Sequence, residues 1–431
     1  MLLAEFAQGR AAVHHIGANR VVADELRVLS RAVTAAGVEV GLRDLDARPF
    51  EDWTDAFEGL AQAAANRPLL VVLDEFPEMM LADPSLESTL RAVWDRVRGR
   101  TQLQILLCGS AVRTMERMRQ ERAPLYGRLD LALHVHPFAP SDMRLLLPKL
   151  SPADRARVWG ITGGMPLYTS WWDQRQSIKA NLLRLVYSPS GLLKNEGDLL
   201  LATEGYGGGG GAHLPGQILR AVARGRTKFN EIKDAVKTDP TRTIASLTEL
   251  RLLERVTPVT EGEASRRGYY RVADNFLGFW LRAVDPHRSQ IERGLGSTIA
   301  TAAMAEFDDL MGERWEHAVR HHLRVLAASG MFGDDVTALG PYWNDRHAPV
   351  EIDAVALAGR SRTAVMLGEV KWTRTVDARR IEHSLVRKAA SLPKLSDAPR
   401  LVVAARERVA EADPSTLVVT ATDVFGDPEI S

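Results

Sequence analysis

The sequence predicts an α/β protein built of several parts, and three observations carry that reading. Two short apolar runs, LLVVL and LQILLC, lack the alternation of a half-exposed strand and are separated by a segment of helical periodicity. That pattern suits parallel strands covered on both faces. Near the other end of the chain, PVEIDAVAL at 349–357 and TAVMLGEVKW at 363–372 read as strands, flanked by amphipathic helical segments. At 431 residues the chain is too long for one ordinary domain.

Composition excludes several classes. Lys plus Arg and Asp plus Glu balance at 55 each, which argues against a broadly basic nucleic-acid binder or a polybasic membrane protein. Any nucleic-acid surface must be local. The one cysteine, Cys108, excludes an intrachain disulfide and a cysteine zinc cluster. No apolar run approaches the roughly 18 residues of a membrane span. The start MLLAEFAQGR lacks the pattern of a signal peptide. A soluble cytoplasmic protein with no membrane partner is expected.

In residues 1–140 the order AAVHHIGA, DELRVLSRAVTAAG, DWTDAFEGLAQAAA, LLVVLDEF and LQILLCGS gives strand, helix, helix, strand, strand. Ligands of such sheets bind beyond the carboxyl ends of the strands. Asp74, Glu75 and Ser110 are expected at that edge. Read alone, the Asp-Glu pair could also simply end a strand in solvent.

LLVVLDEF resembles a Walker B strand, and CGSAVRTM at 108–115 is similar to the polar sensor segment that follows it in AAA+-type and STAND ATPases. PLYGRLDLALHVHPF at 124–138 and ITGGMPLY at 161–168 resemble segments of the prokaryotic archaeal-type ATPase family. The resemblance implies a P-loop NTPase-like core, with Asp74 supporting Mg²⁺, Glu75 orienting the attacking water, and Ser110 and Arg128 near the nucleotide. A surface arginine is the alternative for Arg128. Assembly into a homo-oligomer is a further implication.

The same family uses a loop GxxxxGK followed by Ser or Thr to hold the phosphates. None of the nine lysines here follows a glycine, so this sequence contains no such loop. In relatives that loop opens a helix with a pattern like LLAEFA, so the first strand and loop are expected upstream of residue 1. A start assigned too late, a fragment and a lost nucleotide site are the alternatives. As written, the chain is expected to bind ATP poorly or not at all.

Residues 141–205 read as a helical lid, in which SPADRARVWGITGG offers a serine cap and a glycine stop. GYGGGGGAH at 205–213 reads as a linker or exposed loop. Over 213–285 the order is helix, short helix, a third helix capped at Asp239 and Pro240, strand, polar loop and aromatic strand. That is the plan of a winged helix-turn-helix with its wing at 260–268. Lys228, Lys233, Lys237, Arg242, Arg251, Arg266 and Arg267 give it a basic face for DNA. Use of the same module to dock a protein partner is the alternative.

From 300 to 431 a third α/β part is expected. FDDLMGERWEHAVRHHLRVLAASG places Trp315, Val319 and Leu323 on one helical stripe with Glu316 beside it. Alternation in the two strands places Glu351, Asp353 and Val355 on one face, and Glu369 with Lys371 on one face. This order resembles the PD-(D/E)XK nuclease superfamily: a helical acid, then D, then ExK, here Glu316, Asp353, Glu369 and Lys371. The resemblance implies a restriction-endonuclease-like fold, Mg²⁺ held by Glu316, Asp353 and Glu369, and DNA cleavage assisted by Lys371. An ordinary solvated face is the alternative for alternating acids and lysine. Arg379, Arg380, Arg387 and Lys388 would supply backbone contacts. The whole chain then reads as an ATPase-family protein that couples nucleotide state to DNA binding or cleavage, or as a non-catalytic switch or scaffold.

Overall fold

The computed structural model describes residues 2–203, 214–262, 265, 267–344 and 349–427. It divides into two compact units, Met1–His134 and Val135–Ser431. The expected glycine linker at 205–213 and Arg266 lie outside the described residues.

In the first unit, helix α1 (Leu2–Ala7) precedes β1 (Ala12–Ile16), α2 (Val22–Ala35), α3 (Trp53–Ala63), β2 (Leu69–Asp74), α4 (Phe76–Ala82), α5 (Leu86–Val97), β3 (Leu103–Leu107) and α6 (Val112–Arg117). The strands form a parallel sheet in the order β1-β2-β3. Strand β2 is central, and its residues Leu69 through Leu73 are all buried, as the unbroken apolar run requires. The Asp52 carboxylate caps α3 by accepting from the Asp55 N–H at 2.8 Å.

The second unit begins with a helical stretch: α7 (Met143–Leu146), α8 (Pro152–Thr162), α9 (Pro166–Ser170), α10 (Ile178–Leu185) and α11 (Glu196–Leu201). Ser151 caps α8, and Gly163 ends it in the left-handed conformation. Next come α12 (Leu214–Ala223), α13 (Phe229–Val236), α14 (Thr241–Glu249) and the antiparallel pair β4 (Leu253–Val256) and β5 (Tyr269–Val272). Helices α15 (Asn275–Ala283), α16 (Arg288–Glu292), α17 (Gly296–Ala305) and α18 (Phe307–Ala328) lead into the last sheet.

That sheet is built from β6 (Val336–Asn344), β7 (Val350–Ala358), β8 (Thr363–Val370), β10 (Leu395–Ala404) and β12 (Leu417–Val419), in the order β12-β10-β8-β7-β6. Between them run β9 (Thr375–Asp377), α19 (Ala378–Ala389) and β11 (Arg408–Ala410), with α20 (Ala421–Phe425) after β12. The first three strands pair antiparallel, and β8, β10 and β12 run parallel. One face packs Ala354, Ala356 and Met366 into a core shared with Trp315, Val319 and Leu323 of α18. The opposite face packs Val355, Leu357 and Leu367 against Leu385 and Ala389 of α19. The segments expected as lid, winged helix and C-terminal part share that first core, from Met143 through Phe276 to Phe425.

Strand β7 departs from simple alternation. Gly340 faces Val355 while Tyr342 faces Ile352, so two residues of β7, Asp353 and Ala354, oppose Pro341 alone. Ile352 and Val355 consequently lie in the same core beside α19. The expected common face of Asp353 and Val355 is therefore corrected: the bulge turns Val355 to the other side. Proline explains the bulge in part, because Pro341 has no N–H for the ladder and β6 is an edge strand.

Candidate functional site

Two groups of candidate residues form, one in each unit. In the first, the Asp74 carboxylate ends β2. It accepts from Cys108 Sγ at 3.2 Å and from the Glu75 N–H at 3.1 Å, while His14 Nε2 lies 3.5 Å away. Burial, then the hydrogen bond to Asp74, pushes the Cys108 thiol up to about 12, so it stays protonated. Glu75 adopts a left-handed backbone, φ 51°, unusual for a residue with a Cβ. That turn aims its carboxylate at Ser110, whose N–H and hydroxyl both donate to Glu75 Oε2 at 3.2 Å. Close packing holds the edge: a Cβ on Gly17 would meet Met79 at 2.5 Å, and one on Gly109 would meet Pro77 at 2.4 Å. Asp74, Glu75 and Ser110 are thus brought together. Arg128 is not brought to them; its guanidinium forms a two-point pair with Asp95 of α5 at 2.9 and 3.0 Å. His14 was missed by sequence reasoning; it sits in the middle of β1, opposite Val72 of β2.

The two motif segments noted around residues 138 and 164 turn out to touch. The Phe138 N–H donates to the Gly164 carbonyl at 2.9 Å, and the Trp159 indole N–H donates to the Phe138 carbonyl at 3.1 Å. Gly164 has φ 75°, and a Cβ there would stand 2.3 Å from the Phe138 carbonyl oxygen. Both requirements select glycine.

The second group lies where β7, β8 and α18 meet. Asp353 is 6% exposed, and its Oδ2 accepts from the Val370 N–H at 2.7 Å and from Lys371 Nζ at 3.3 Å. Glu369 Oε1 meets the same ammonium at 2.8 Å, and its Oε2 accepts from Lys388 of α19 at 2.7 Å. Arg320 joins the helix to the bulge: its Nη1 donates to Glu316 at 3.2 Å and to the Asp353 carbonyl at 2.9 Å. The bulge leaves that carbonyl without a ladder partner on Pro341, and arginine takes its place. Glu316, Asp353, Glu369 and Lys371 are therefore assembled in one cluster.

Their environments drive the three carboxyls apart. Burial, reinforced by the Asp353 charge and opposed by Arg320, pushes Glu316 up to about 7. Burial also raises Asp353; Lys371 offsets this in part, and the charge of Glu369 adds to it. Glu369 is pulled below its ordinary range, because bonds and charge from Lys371 and Lys388 together outweigh its burial. Lys371 loses some basicity to burial but gains more from Asp353 and Glu369, reaching about 12. Lys388, expected on a solvent-facing basic surface, is instead half-buried on Glu369. Arg320 was also missed, though its spacing of one helical turn from Glu316 was a usable signal.

Among the described residues no three His, Cys, Asp or Glu side chains are placed to hold a metal ion. Mg²⁺ asks for less, since it is commonly held by one or two carboxylates with waters and phosphate oxygens. Asp353 and Glu369, which converge on one ammonium, meet that lower requirement.

Of the expected DNA contacts, Lys228, Lys233, Lys237 and Arg242 are exposed on or beside α13 and α14. Arg267 is not available in the same way. It pairs with Glu261 and donates to the Trp343 carbonyl of β6. No helix among the described residues is long and apolar enough to cross a membrane.

Residues 280–381, a span that includes Glu316, Asp353, Glu369 and Lys371, match the family described as "Archaea bacterial proteins of unknown function". An uncharacterized protein of Methanocaldococcus jannaschii is 26% identical over 351 residues, covering 79% of this chain and 74% of its own length. Among solved structures, a Walker-type ATPase of Pyrococcus abyssi is 16% identical, with 65% of this chain and 93% of that chain covered and a TM-score of 0.44. Cdc6p from Pyrobaculum aerophilum is 15% identical, with 66% and 80% covered and a TM-score of 0.26.

Proposed function

We propose that this is an ATPase-family protein whose second unit binds DNA and cleaves phosphodiesters with Mg²⁺ at Asp353, Glu369, Lys371 and Glu316. One observation carries the reading: Asp353 and Glu369, from adjacent strands, converge on the ammonium of Lys371, with Glu316 tied to the same bulge by Arg320. The order of elements supports it: Glu316 lies on α18, Asp353 on β7, Glu369 on β8 with Lys371 just after it, and α19 follows, the order of helical acid, D and ExK that the sequence resemblance implies.

Mg²⁺ held by Asp353 and Glu369 would lower the pKa of a bound water toward neutrality. Glu369 stays ionised over the working range, as a cation ligand must. Glu316, with its carboxyl pushed up to about 7, would take up or release a proton at neutral pH. Lys371 remains charged and would meet negative charge building on the phosphate. Exposed Lys228, Lys233 and Arg242 would hold the DNA backbone.

In the first unit, Asp74 and Glu75 supply carboxylates but the sequence supplies no phosphate cradle. The residues present do not by themselves hold ATP. Coupling of nucleotide state to DNA engagement belongs to the reading only if such a cradle is restored.

A second reading, a non-catalytic scaffold that docks a protein partner, is favoured by one detail: both oxygens of Glu369 are already bonded to lysines. Plasmid DNA incubated with Mg²⁺ or Mn²⁺ separates the two. Nicking by the natural sequence, lost in Asp353→Ala and Lys371→Ala, is expected. Equal nicking by all three, or none by any, overturns the nuclease reading.

A further inference from the structure

A cleft of about 600 Å³ opens beside the acid cluster. Lys371 belongs to both, so the cleft continues from the place where the scissile phosphate would sit. Lys371, Trp372, Arg374 and Arg406 line it together with Asp308 and Asp309 from the first turn of α18. Its lining therefore carries both cations and carboxylates.

Arg406 is the best-prepared group in it. Its guanidinium lies over the Trp372 ring, 5.3 Å from the centroid, and the Trp372 indole N–H is fixed on Asp308 at 2.8 Å. Only 13% of the Arg406 side chain is exposed. Its carboxylate contacts are long, 3.5 Å to Asp308 and 3.7 Å to Glu407. A charge-assisted bond is ordinarily about 2.7–2.9 Å. The planar donor is thus held in place by stacking while its hydrogen-bonding capacity is little used. Arg374, on the rim, is 77% exposed and paired with Glu407.

Cations suit a phosphate, and the carboxylates of the same lining suit amino or hydroxyl donors. A nucleotide carries both, and the volume lies within the range of small-molecule sites. We infer that the cleft binds one unstacked nucleotide of a single strand next to the scissile phosphodiester, its phosphate against Arg374 and Arg406 and its base or sugar donors against Asp308 and Asp309. The inference rests on the phosphodiesterase reading for what lies beside the cleft, and it adds a preference for single-stranded over blunt duplex ends.

Gly312 supplies a clean probe, because a Cβ there meets nothing within 4 Å while the residue lines the cleft. Gly312→Trp would fill the space without disturbing the core, and Arg374→Glu reverses an exposed charge. The experiment is fluorescence anisotropy of a labelled ten-nucleotide single strand with the full chain in EDTA, where no metal-dependent cleavage can occur. Both variants should bind tenfold or more weakly than the natural sequence, and the exposed reversal Arg293→Glu should not. A blunt duplex of equal length should bind the natural protein several-fold more weakly than the single strand. Unchanged binding in Gly312→Trp and Arg374→Glu, or no strand binding by the natural protein, overturns the inference. The expected binding pattern without plasmid nicking would overturn the nuclease reading and leave the cleft standing. Nicking with unaltered cleft variants would overturn the cleft alone.

Discussion

The backbone N–H of Val259 donates to the carbonyl of Pro341 at 2.7 Å. This bond joins the loop between β4 and β5 to the edge strand of the last sheet. Arg267 bonds the Trp343 carbonyl, Arg362 donates to the Val259 carbonyl at 2.6 Å, and the rings of Tyr269 and Trp343 lie 5.4 Å apart. An open strand edge invites pairing with another chain, and here the loop covers it. The described part of the expected wing is therefore occupied within its own unit.

Arg267→Ala should in consequence act on stability and leave nucleic-acid affinity alone. Losing bonds from a charged group to Glu261 and a carbonyl costs about 1–3 kcal/mol, to be read as a lower urea midpoint. Lys233→Glu with Arg242→Glu should behave in the opposite way, weakening DNA binding and flattening its salt dependence at near-native stability. A DNA-affinity loss in Arg267→Ala as large as in that double variant would refute the assignment.

Lys371→Ala tests the cluster as a folding element. Asp353 would keep its burial and lose its cation, and removal of one partner from a fully buried pair costs about 3–5 kcal/mol. Because Lys371 is nearly half exposed, a cost of about 1–2 kcal/mol is expected after screening. Asp353→Asn should offset much of it, since the amide oxygen can still accept from the Val370 N–H. A double-mutant cycle in urea reads the coupling. Additive losses would show that the two residues do not interact.

Gly164→Ala should be among the most damaging single changes in the second unit. It places a left-handed backbone under strain of about 1–2 kcal/mol and drives a Cβ into the Phe138 carbonyl. A loss of about 3 kcal/mol or more, by urea unfolding, is expected. A near-neutral effect would mean that the Phe138 contact is not as close as described.

The local pattern in the sequence carried the strands and caps well. The unbroken run Leu69–Leu73, the Ser151 cap and the Gly163 stop each depend on near neighbours alone. The cluster at Asp353 was legible as a set of residue types, because strand alternation and a short hairpin bring acids and lysine together. Its orientation was not. The bulge depends on what lies opposite, Pro341 on another strand, and no periodicity within β7 reveals it. Lys388 and Arg406 escaped for the same reason: their partners, Glu369 and Trp372, lie on other elements of the fold. Arg128 was named by resemblance, with a surface arginine as the alternative, and no local pattern shows its pairing with Asp95 on α5.

His15 supplies the last prediction, on acid sensitivity of the first unit. Its ring is buried, Nε2 bonds Glu25 at 2.9 Å, and Nδ1 has no hydrogen-bond partner. Burial holds its pKa below the ordinary 6.5 despite the opposing charge and hydrogen bond of Glu25. The folded state therefore binds fewer protons than the unfolded chain below that pH. The contribution of His15 is present above 6.5 and is lost as pH falls beneath it, with a slope of at most about 1.4 kcal/mol per pH unit for one proton. His15→Gln keeps a donor for Glu25 and removes the titration. Urea unfolding of both forms at pH 5, 6 and 7 should show a steeper rise for the natural protein, with the gap opening below 6.5. Parallel curves would mean that His15 does not titrate between the two states.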